Sequence, residues 1–112
     1  MNLVLGDLVL VDLGTVPYGH EQSGARPAIF VSRTESMSLV IPLTTNLKMQ
    51  RFSATHRVTS DTTNKLSANS VALVCQLRAI DSRRIVHRIG RLSSKDIRAL
   101  NTILQKIAII AK

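Results

Sequence analysis

Short apolar runs separated by polar turns fill the first half of the chain, a pattern typical of β-strands rather than helices. The runs are "LVLVDL" from residue 8, "PAIFVS" from residue 27 and "MSLVIPL" from residue 37. Polar segments that contain glycine, proline or serine separate them, as expected for turns. The pattern therefore predicts three strands in this half of the chain.

The second half shows the same pattern more weakly. "FSATHRV" from residue 52, "VALVCQL" from residue 71 and "IVHRIGRL" from residue 85 each have the length and β-branched content of a strand. Between the first two runs, the polar stretch "SDTTNKLSANS" at residues 60–70 is rich in Ser, Thr, Asn and Asp and indicates turns. Six strands are predicted in all.

The last twenty residues change from strand to helix periodicity. Ser93 stands three residues before Asp96, which resembles a helix capping box. The apolar residues on one predicted helical face are Ile97, Leu100, Leu104, Ile107 and Ala111. Further apolar residues, Ile103, Ile109 and Ile110, lie outside that stripe. We expect a C-terminal helix whose additional apolar surface is covered by a second copy of the chain, as a homodimer.

Several short strands and one terminal helix predict a mainly β fold, a small antiparallel barrel or curled sheet closed by the C-terminal α-helix. With 112 residues and no repeat, linker or low-complexity segment, the chain is expected to form a single domain over residues 1–112. In folds of this kind the loops and strand ends carry the function.

Composition narrows the function classes. No apolar stretch approaches the roughly 20 residues that cross a bilayer, and the start "MNLVLGDLVLVDL" lacks the basic beginning of a secretory signal. The single Cys75 excludes an internal disulfide, and no CxxC or His/Cys metal pattern is present. These features predict a cytoplasmic protein with no metal, no other cofactor and no membrane contact.

Charge suggests a partner. Fifteen Lys and Arg against seven Asp and Glu give a formal charge of +8, and the basic residues concentrate between residues 78 and 98. A polyanion such as nucleic acid fits this balance. A solvated basic surface that only keeps the protein soluble explains it equally well.

A polar loop precedes the second predicted strand. Gly19 and Gly24 can take backbone angles that other residues avoid, and Pro27 fixes its own φ and disfavours helix at Arg26. Its polar side chains are His20, Glu21, Gln22 and Arg26. The sequence therefore predicts a structured polar loop at a strand entrance.

Together, several segments resemble the MazF/PemK family of bacterial toxins, which are endoribonucleases paired with antitoxins. The matching segments are "GDLVLVDL" at 6–13, "GHEQSGARPAIFVS" at 19–32, "VIPLTTN" at 40–46, "SVALVCQLRAID" at 70–81 and "RIGRLSSKDI" at 88–97. The resemblance implies an SH3-like barrel with a C-terminal helix, a symmetric dimer, and sequence-specific, metal-independent cleavage of single-stranded RNA. It also implies a cognate antitoxin with an acidic tail.

The resemblance identifies Arg26 with the family's catalytic arginine and Thr44 with the threonine that supports the scissile phosphate. Cleavage by the RNA's own 2′-hydroxyl, which leaves a 2′,3′-cyclic phosphate and a 5′-hydroxyl, needs a base, positive charge on the phosphoryl oxygens and an acid. A guanidinium rarely releases its proton, whereas a histidine titrates near neutrality. We therefore favour His20 as the base, with Arg26 stabilising the phosphorane and as the candidate for the acid, and Arg26 as base remains the alternative.

Other polar residues are expected to bind the substrate. Glu21 would orient Arg26 through a charged hydrogen bond, and Gln22 would contact RNA or the loop backbone. The remaining candidates follow two predicted strands: Thr45, Asn46, Gln76 and Arg78. Thr45 could equally be a strand former with Asn46 starting a turn, and Gln76 and Arg78 could hold the sheet edge. His56 and His87 are expected to be surface residues.

One departure bears on the mechanism. Relatives commonly carry an acidic residue where this chain has Cys75, and one branch uses it in catalysis together with an arginine at the position of Leu73. That branch's arrangement cannot operate here. The alternative function is a non-catalytic SH3-like module that binds nucleic acid or protein.

Overall fold

A computed structural model describes residues 1–12 and 24–110 of the chain. The elements are β1 (Asp7–Asp12), β2 (Ala25–Thr34), β3 (Met37–Thr44), β4 (Thr55–Val58), β5 (Ser70–Leu73), β6 (Arg78–Asp81), β7 (Ile85–Arg91) and α1 (Ser94–Ile110). Short 3-10 turns occupy Leu47–Arg51, Val74–Gln76 and Ser82–Arg84.

All strand pairings in this part of the chain are antiparallel. The strands follow the order β4-β5-β3-β2-β1-β7, and β6 pairs with the first half of β3. The predicted mainly β fold with a terminal helix is confirmed. Within residues 1–12 and 24–110 the sheet is an open path whose end strands, β4 and β7, do not pair with each other.

Six of the strands coincide with predicted apolar runs, but β6 was not predicted as a separate strand. Only Ile80 of its four residues is buried, so the segment carries no alternating apolar pattern. β6 forms because its backbone pairs with β3, where Ser38 lies opposite Ile80. The polar end of β2 was likewise missed, because Arg33 and Thr34 are held by pairing with β3 rather than by burial.

The sheet buries apolar side chains on both faces. On one face, a cluster that includes Leu8, Ile29 and Ile41 packs under the helix residue Leu100. A second cluster occupies the opposite face and consists of Val9, Val11, Ala28, Phe30, Val40 and Ile80. This two-sided burial explains why the first strands are continuous apolar runs. We call the side of the second cluster the open face, because α1 packs on the other side.

The helix begins as predicted. The Asp96 backbone N–H donates to Ser93 Oγ at 3.2 Å, which caps the first turn. The partly buried residues that pack on the helix-side cluster include Ile97, Ile103, Leu104 and Ile107. Ile103 thus packs against the core with part of its side chain still exposed, and the dimer contact expected for it stays a prediction. The side chains of Ile109 and Ile110, and the whole of Ala111, lie outside the described residues.

A buried carboxylate joins β1 to β7. Asp7 Oδ1 accepts from Arg88 Nε at 3.1 Å and from Arg91 Nη1 at 3.0 Å, and Asp7 Oδ2 accepts from the Val4 N–H at 2.9 Å. Burial raises the pKa of Asp7, but these hydrogen bonds and the Arg88 charge outweigh that effect and lower it from 3.8. Two of the late basic residues thus hold the fold together. Among the described helices, none has the length and apolar character needed to span a membrane.

Candidate functional site

Arg26 and Thr44 lie at one end of two neighbouring strands. Arg26 is near the start of β2 and pairs with Val11 of β1. Thr44 is the last residue of β3, and Ala28 of β2 pairs directly with Pro42 of β3. Because side chains alternate along a strand, Arg26 and Ala28 share one face, as do Pro42 and Thr44. The two polar side chains therefore stand at the same end of the open face.

Two arginines line a narrow cavity at this end of the open face. Its volume is about 30 Å³, and Arg26 and Arg78 line it. The other lining residues are Val11, Pro27, Ala28, Val40, Pro42 and Leu43. No carboxylate is among the described residues that line it, so the described part of this cavity carries positive charge from two arginines.

A wider cavity of about 310 Å³ adjoins the narrow one. Polar groups of Thr44, Asn46 and Gln76 line it. Pro42 and Leu43 line both cavities, so the two lie side by side. We call the two cavities together the Arg26–Thr44 groove.

The polar groups at the Thr44 end hold one another in place. Thr44 Oγ1 accepts from the Asn46 N–H at 3.1 Å, and Asn46 Oδ1 accepts from the Lys48 N–H at 3.2 Å. Asn46 therefore caps the 3-10 turn Leu47–Arg51. The hydroxyl hydrogen of Thr44 remains able to donate to a ligand, because its oxygen acts only as an acceptor in this turn.

Neutral residues form the wall contributed by β5 and the turn after it. Leu73 is buried and Gln76 is exposed, and both line the wide cavity. The Cys75 N–H donates to Ala54 O at 3.1 Å, while the Cys75 thiol is exposed. The positions at which relatives can carry an arginine and an acidic residue thus add no charge to the groove.

The carboxylate nearest to Arg78 along β6 is already paired. Asp81 Oδ2 accepts from Arg83 Nη2 at 2.8 Å. Hydrogen bonds from the Arg83 side chain and backbone, with smaller charge effects, lower the pKa of Asp81 to about 2. Asp81 is consequently ionised at neutral pH and engaged by Arg83.

The structure brings five of the sequence-predicted site residues together, namely Arg26, Thr44, Asn46, Gln76 and Arg78. Thr45 is exposed beside Thr44 but does not line either cavity. His20, Glu21 and Gln22 fall within residues 13–23, which lie outside the described residues. Pro42 and Met49 also line the groove and were missed, because an apolar residue in a strand or turn carries no signal for a binding site.

One histidine differs from expectation. His56 Nε2 lies 2.8 Å from Asp96 Oδ1, and both side chains are partly buried between β4 and the first turn of α1. We expected His56 to be a surface residue because no carboxylate is near it in sequence, but it is partly buried and pairs with Asp96, which is 40 positions away. His87 is exposed, as expected. In the described part of the chain, no group of three or more His, Cys, Asp or Glu is placed to hold a metal ion.

Comparison with known proteins gives one family and several relatives. Residues 5–108 match the family described as PemK-like, MazF-like toxin of type II toxin-antitoxin system. The chain is 28% identical over 103 residues to Endoribonuclease MazF of Staphylococcus saprophyticus. The matched region covers 88% of this chain and 85% of the relative.

Solved structures share the fold. The chain is similar to MazF from Deinococcus radiodurans with a TM-score of 0.68 at 23% identity, over 95% of this chain and 96% of the other. It is also similar to an endoribonuclease in complex with its cognate antitoxin from Mycobacterial species, with a TM-score of 0.64 at 20% identity, over 95% and 93% of the two chains.

Proposed function

The chain belongs to the PemK-like, MazF-like toxins of type II toxin–antitoxin systems, and on this premise we propose that it is an endoribonuclease. It cleaves single-stranded RNA at specific sequences, without a metal ion, by attack of the substrate's 2′-hydroxyl. The observation that carries the proposal is the Arg26–Thr44 groove, where two guanidinium groups, a hydroxyl and two amides line two adjacent cavities. Such groups suit a phosphodiester and its neighbouring bases.

The reaction is a transesterification. The 2′-oxygen bonds to phosphorus as its proton passes to a base, and the bond from phosphorus to the 5′-oxygen breaks as that oxygen takes a proton from an acid, for which Arg26 is the candidate. The products are a 2′,3′-cyclic phosphate and a 5′-hydroxyl. Negative charge grows on the phosphoryl oxygens in the transition state, so the Arg26 guanidinium stabilises that state more than the starting phosphate.

Thr44 supports the scissile phosphate. Its Oγ1 already accepts from the Asn46 N–H at 3.1 Å, so the hydroxyl is oriented before RNA binds. A hydroxyl that accepts one hydrogen bond is also a better donor in the next one, because hydrogen-bonded chains polarise each other. Thr44 therefore donates to a phosphoryl oxygen beside Arg26.

The proton that leaves the 2′-hydroxyl goes to His20, with Arg26 as the alternative base. A guanidinium holds its proton too tightly to act as an effective base, whereas an imidazole can accept a proton near neutrality. Glu21 orients Arg26, and Gln22 contacts the RNA or the loop backbone. These three loop assignments rest on the sequence and the family resemblance.

The remaining groove residues bind the nucleotides on either side of the cut. Arg78 provides the second positive charge in the narrow cavity, and Gln76 presents an amide in the wide one. Asn46 uses its carbonyl oxygen to cap a turn, which leaves its amide nitrogen to contact a base. Thr45 follows Thr44 and is exposed, so its side chain can contact the RNA that enters the groove.

We further propose that the protein is cytoplasmic and acts as a homodimer that a cognate acidic antitoxin neutralises. A solved relative of the same fold is an endoribonuclease in complex with its cognate antitoxin, which supports the last point. The formal charge of +8 also favours a protein partner with an acidic segment, because opposite charges attract. Sedimentation of the purified chain at micromolar concentration tests the dimer.

A non-catalytic RNA-binding module is the second candidate. The observation in its favour is the neutral wall formed by Leu73 and Gln76, next to Cys75, where some relatives place charged catalytic groups. Such a protein would bind RNA in the groove and leave it intact.

One experiment separates the two functions. Purified protein is incubated with a long single-stranded RNA in EDTA, and cut positions and end groups are mapped. We expect discrete cuts with 2′,3′-cyclic phosphate and 5′-hydroxyl ends. Arg26→Ala removes a groove guanidinium, whereas Arg98→Ala removes an exposed one on α1 and is the matched control. RNA binding without any cut by the native protein supports the non-catalytic module instead.

A further inference from the structure

A separate cavity lies on the open face, further along β2 and β3 than the groove. Its volume is about 300 Å³. The residues that line it are Met1, Asn2, Leu3, Phe30, Arg33, Ser38, Ser82 and Ile85. We call it the Ser38–Ser82 pocket. It is large enough for a small-molecule group, since ligand sites begin at roughly 300 Å³.

The pocket continues the Arg26–Thr44 groove. Phe30 lines the pocket and pairs across the sheet with Val40, which lines the groove. Val40 in turn pairs with Arg78 of the groove. Ser38 lies two residues before Val40 on β3 and so shares its face of the sheet. A strand of RNA that passes Arg78 therefore reaches the pocket at the next row of side chains.

An irregularity in β2 turns a positive charge toward this pocket. The β2–β3 register changes between Phe30 and Ser32, so that Arg33 rather than Ser32 lies opposite Ser38. A bulge of this kind redirects the side chains that follow it to the other face. Arg33 consequently lines the pocket, and its Nε donates to Glu35 O at 3.0 Å. Its terminal guanidinium nitrogens remain as donors for a ligand.

A pair of hydroxyls forms the polar part of the lining. Ser38 Oγ lies 2.7 Å from Ser82 Oγ, and Ser38 is almost fully buried. Because one hydroxyl donates to the other, the pair still offers one hydroxyl hydrogen and free lone pairs. It can both donate to and accept from the edge of a heterocycle.

The charge and the apolar lining select the type of ligand. Arg33 is the charged side chain of the pocket, and no carboxylate is among the described residues that line it. Phe30, Leu3 and Ile85 supply apolar contacts. A ligand with an anionic group, an apolar planar surface and a polar edge matches this combination, which is the chemistry of a nucleotide.

We propose that the Ser38–Ser82 pocket binds one further nucleotide of the RNA strand that is cut in the Arg26–Thr44 groove. The base lies against the apolar lining of Leu3, Phe30 and Ile85 and its edge meets the serine pair, while its phosphate contacts Arg33. The proposal rests on the proposed endoribonuclease function and extends it, because it makes cleavage depend on a nucleotide away from the cut.

The test compares substrates of different length. Once the cut position is mapped, oligonucleotides are lengthened one nucleotide at a time on each side of a minimal substrate, and kcat/KM is measured. The measured quantity is the ratio of kcat/KM for the long substrate to that for the minimal one, so that effects of a variant on folding cancel. The variants are Arg33→Ala, which removes the charge, Ser82→Leu, which fills the pocket, and Arg98→Ala as control.

We expect lengthening on one side to raise kcat/KM about tenfold in the native protein and in Arg98→Ala, since a bound base contributes about 1–3 kcal/mol. In Arg33→Ala and Ser82→Leu the ratio should fall toward one. An abasic nucleotide at the decisive position should also lose most of the gain.

A ratio in Arg33→Ala equal to that of the native protein, or no gain from lengthening on either side, overturns the proposal. So does a gain that the abasic nucleotide retains in full, because the pocket would then not hold a base. Weakened antitoxin binding by both variants, with unchanged RNA ratios, would assign the pocket to the antitoxin instead. If the native protein fails to cut even the minimal substrate, the proposed function fails rather than the pocket.

Discussion

Arg26 and Thr44 stand at the same end and on the same face of two paired strands, two residues beyond the directly paired Ala28 and Pro42. Arg26 and Thr44 are 18 residues apart in sequence, and the pairing of β2 with β3 is what places both at the same groove. Strands are rigid relative to loops, so both groups are held in position before RNA arrives. The account of catalysis depends on this pairing.

Arg26→Ala should lower kcat by about two orders of magnitude or more, with RNA affinity falling much less. The guanidinium binds the phosphorane better than the ground-state phosphate, so its loss falls mainly on turnover. Arg26→Lys should recover little, because an ammonium cannot reproduce the planar pair of donors. Single-turnover cleavage and filter binding measure the two quantities. Equal losses in affinity and turnover would contradict the assigned role.

Thr44→Val keeps the β-branched shape of the strand end and removes the hydroxyl, and we expect a loss in kcat of about tenfold or more. Thr44→Ser retains the hydroxyl and should stay within a few-fold of the native rate. Because Thr44 Oγ1 also accepts from the Asn46 N–H, circular dichroism should confirm that both variants fold. Native activity in Thr44→Val would show that the backbone amide at position 44, and not the hydroxyl, holds the phosphate.

His20→Ala distinguishes the two candidates for the base. If His20 takes the proton, the rate should fall by about 10² or more, and the acidic limb of the pH–rate profile, set by a group near neutrality, should disappear. The pH profile of single-turnover cleavage measures this directly. If the pH–rate profile of His20→Ala is unchanged, then Arg26 or water, and not His20, takes the proton.

Much of the fold follows from local pattern in the sequence. Continuous apolar runs such as 27–32 predict buried strands, and Ser93 with Asp96 predicts the start of the helix. The groove residues could be proposed chiefly because the segments that carry them resemble the MazF/PemK family, and the apolar pattern placed Thr44 and Asn46 just past a strand end. That Arg26 and Arg78 would line one cavity could not be deduced, since it depends on β6 pairing with β3.

Features that arise from pairing between distant segments could not be predicted from the sequence. β6 has too little apolar content to be predicted and exists because β3 offers it a partner. His56 and Asp96 meet only because β4 packs near the first turn of α1. The register change that brings Arg33 opposite Ser38 is likewise a property of the β2–β3 pair and not of either strand alone.

Asp7→Asn should destabilise the protein at neutral pH by about 2 kcal/mol or more, because an amide cannot replace a carboxylate that accepts from both Arg88 and Arg91. The pKa of Asp7 is lowered on folding, so its contribution is present above 3.8 and is lost as pH falls through the lowered value. Urea unfolding of native and variant protein should therefore show a stability difference that narrows with acidification below pH 4. Glu35→Gln, at an exposed position, is the control and should change stability little. A difference that is constant from pH 7 to pH 2 would contradict the role of the Asp7 charge.

The most direct test of the central claim removes a single oxygen from the substrate. An oligonucleotide with the mapped cleavage sequence is prepared with 2′-deoxyribose at the nucleotide just before the cut, and with ribose elsewhere. We expect the protein in EDTA to bind it with nearly the same affinity as the all-RNA strand and not to cut it, because the attacking nucleophile is missing. Cleavage of the deoxy-substituted strand at the same position and a comparable rate would contradict attack by the 2′-hydroxyl and the mechanism assigned to the groove.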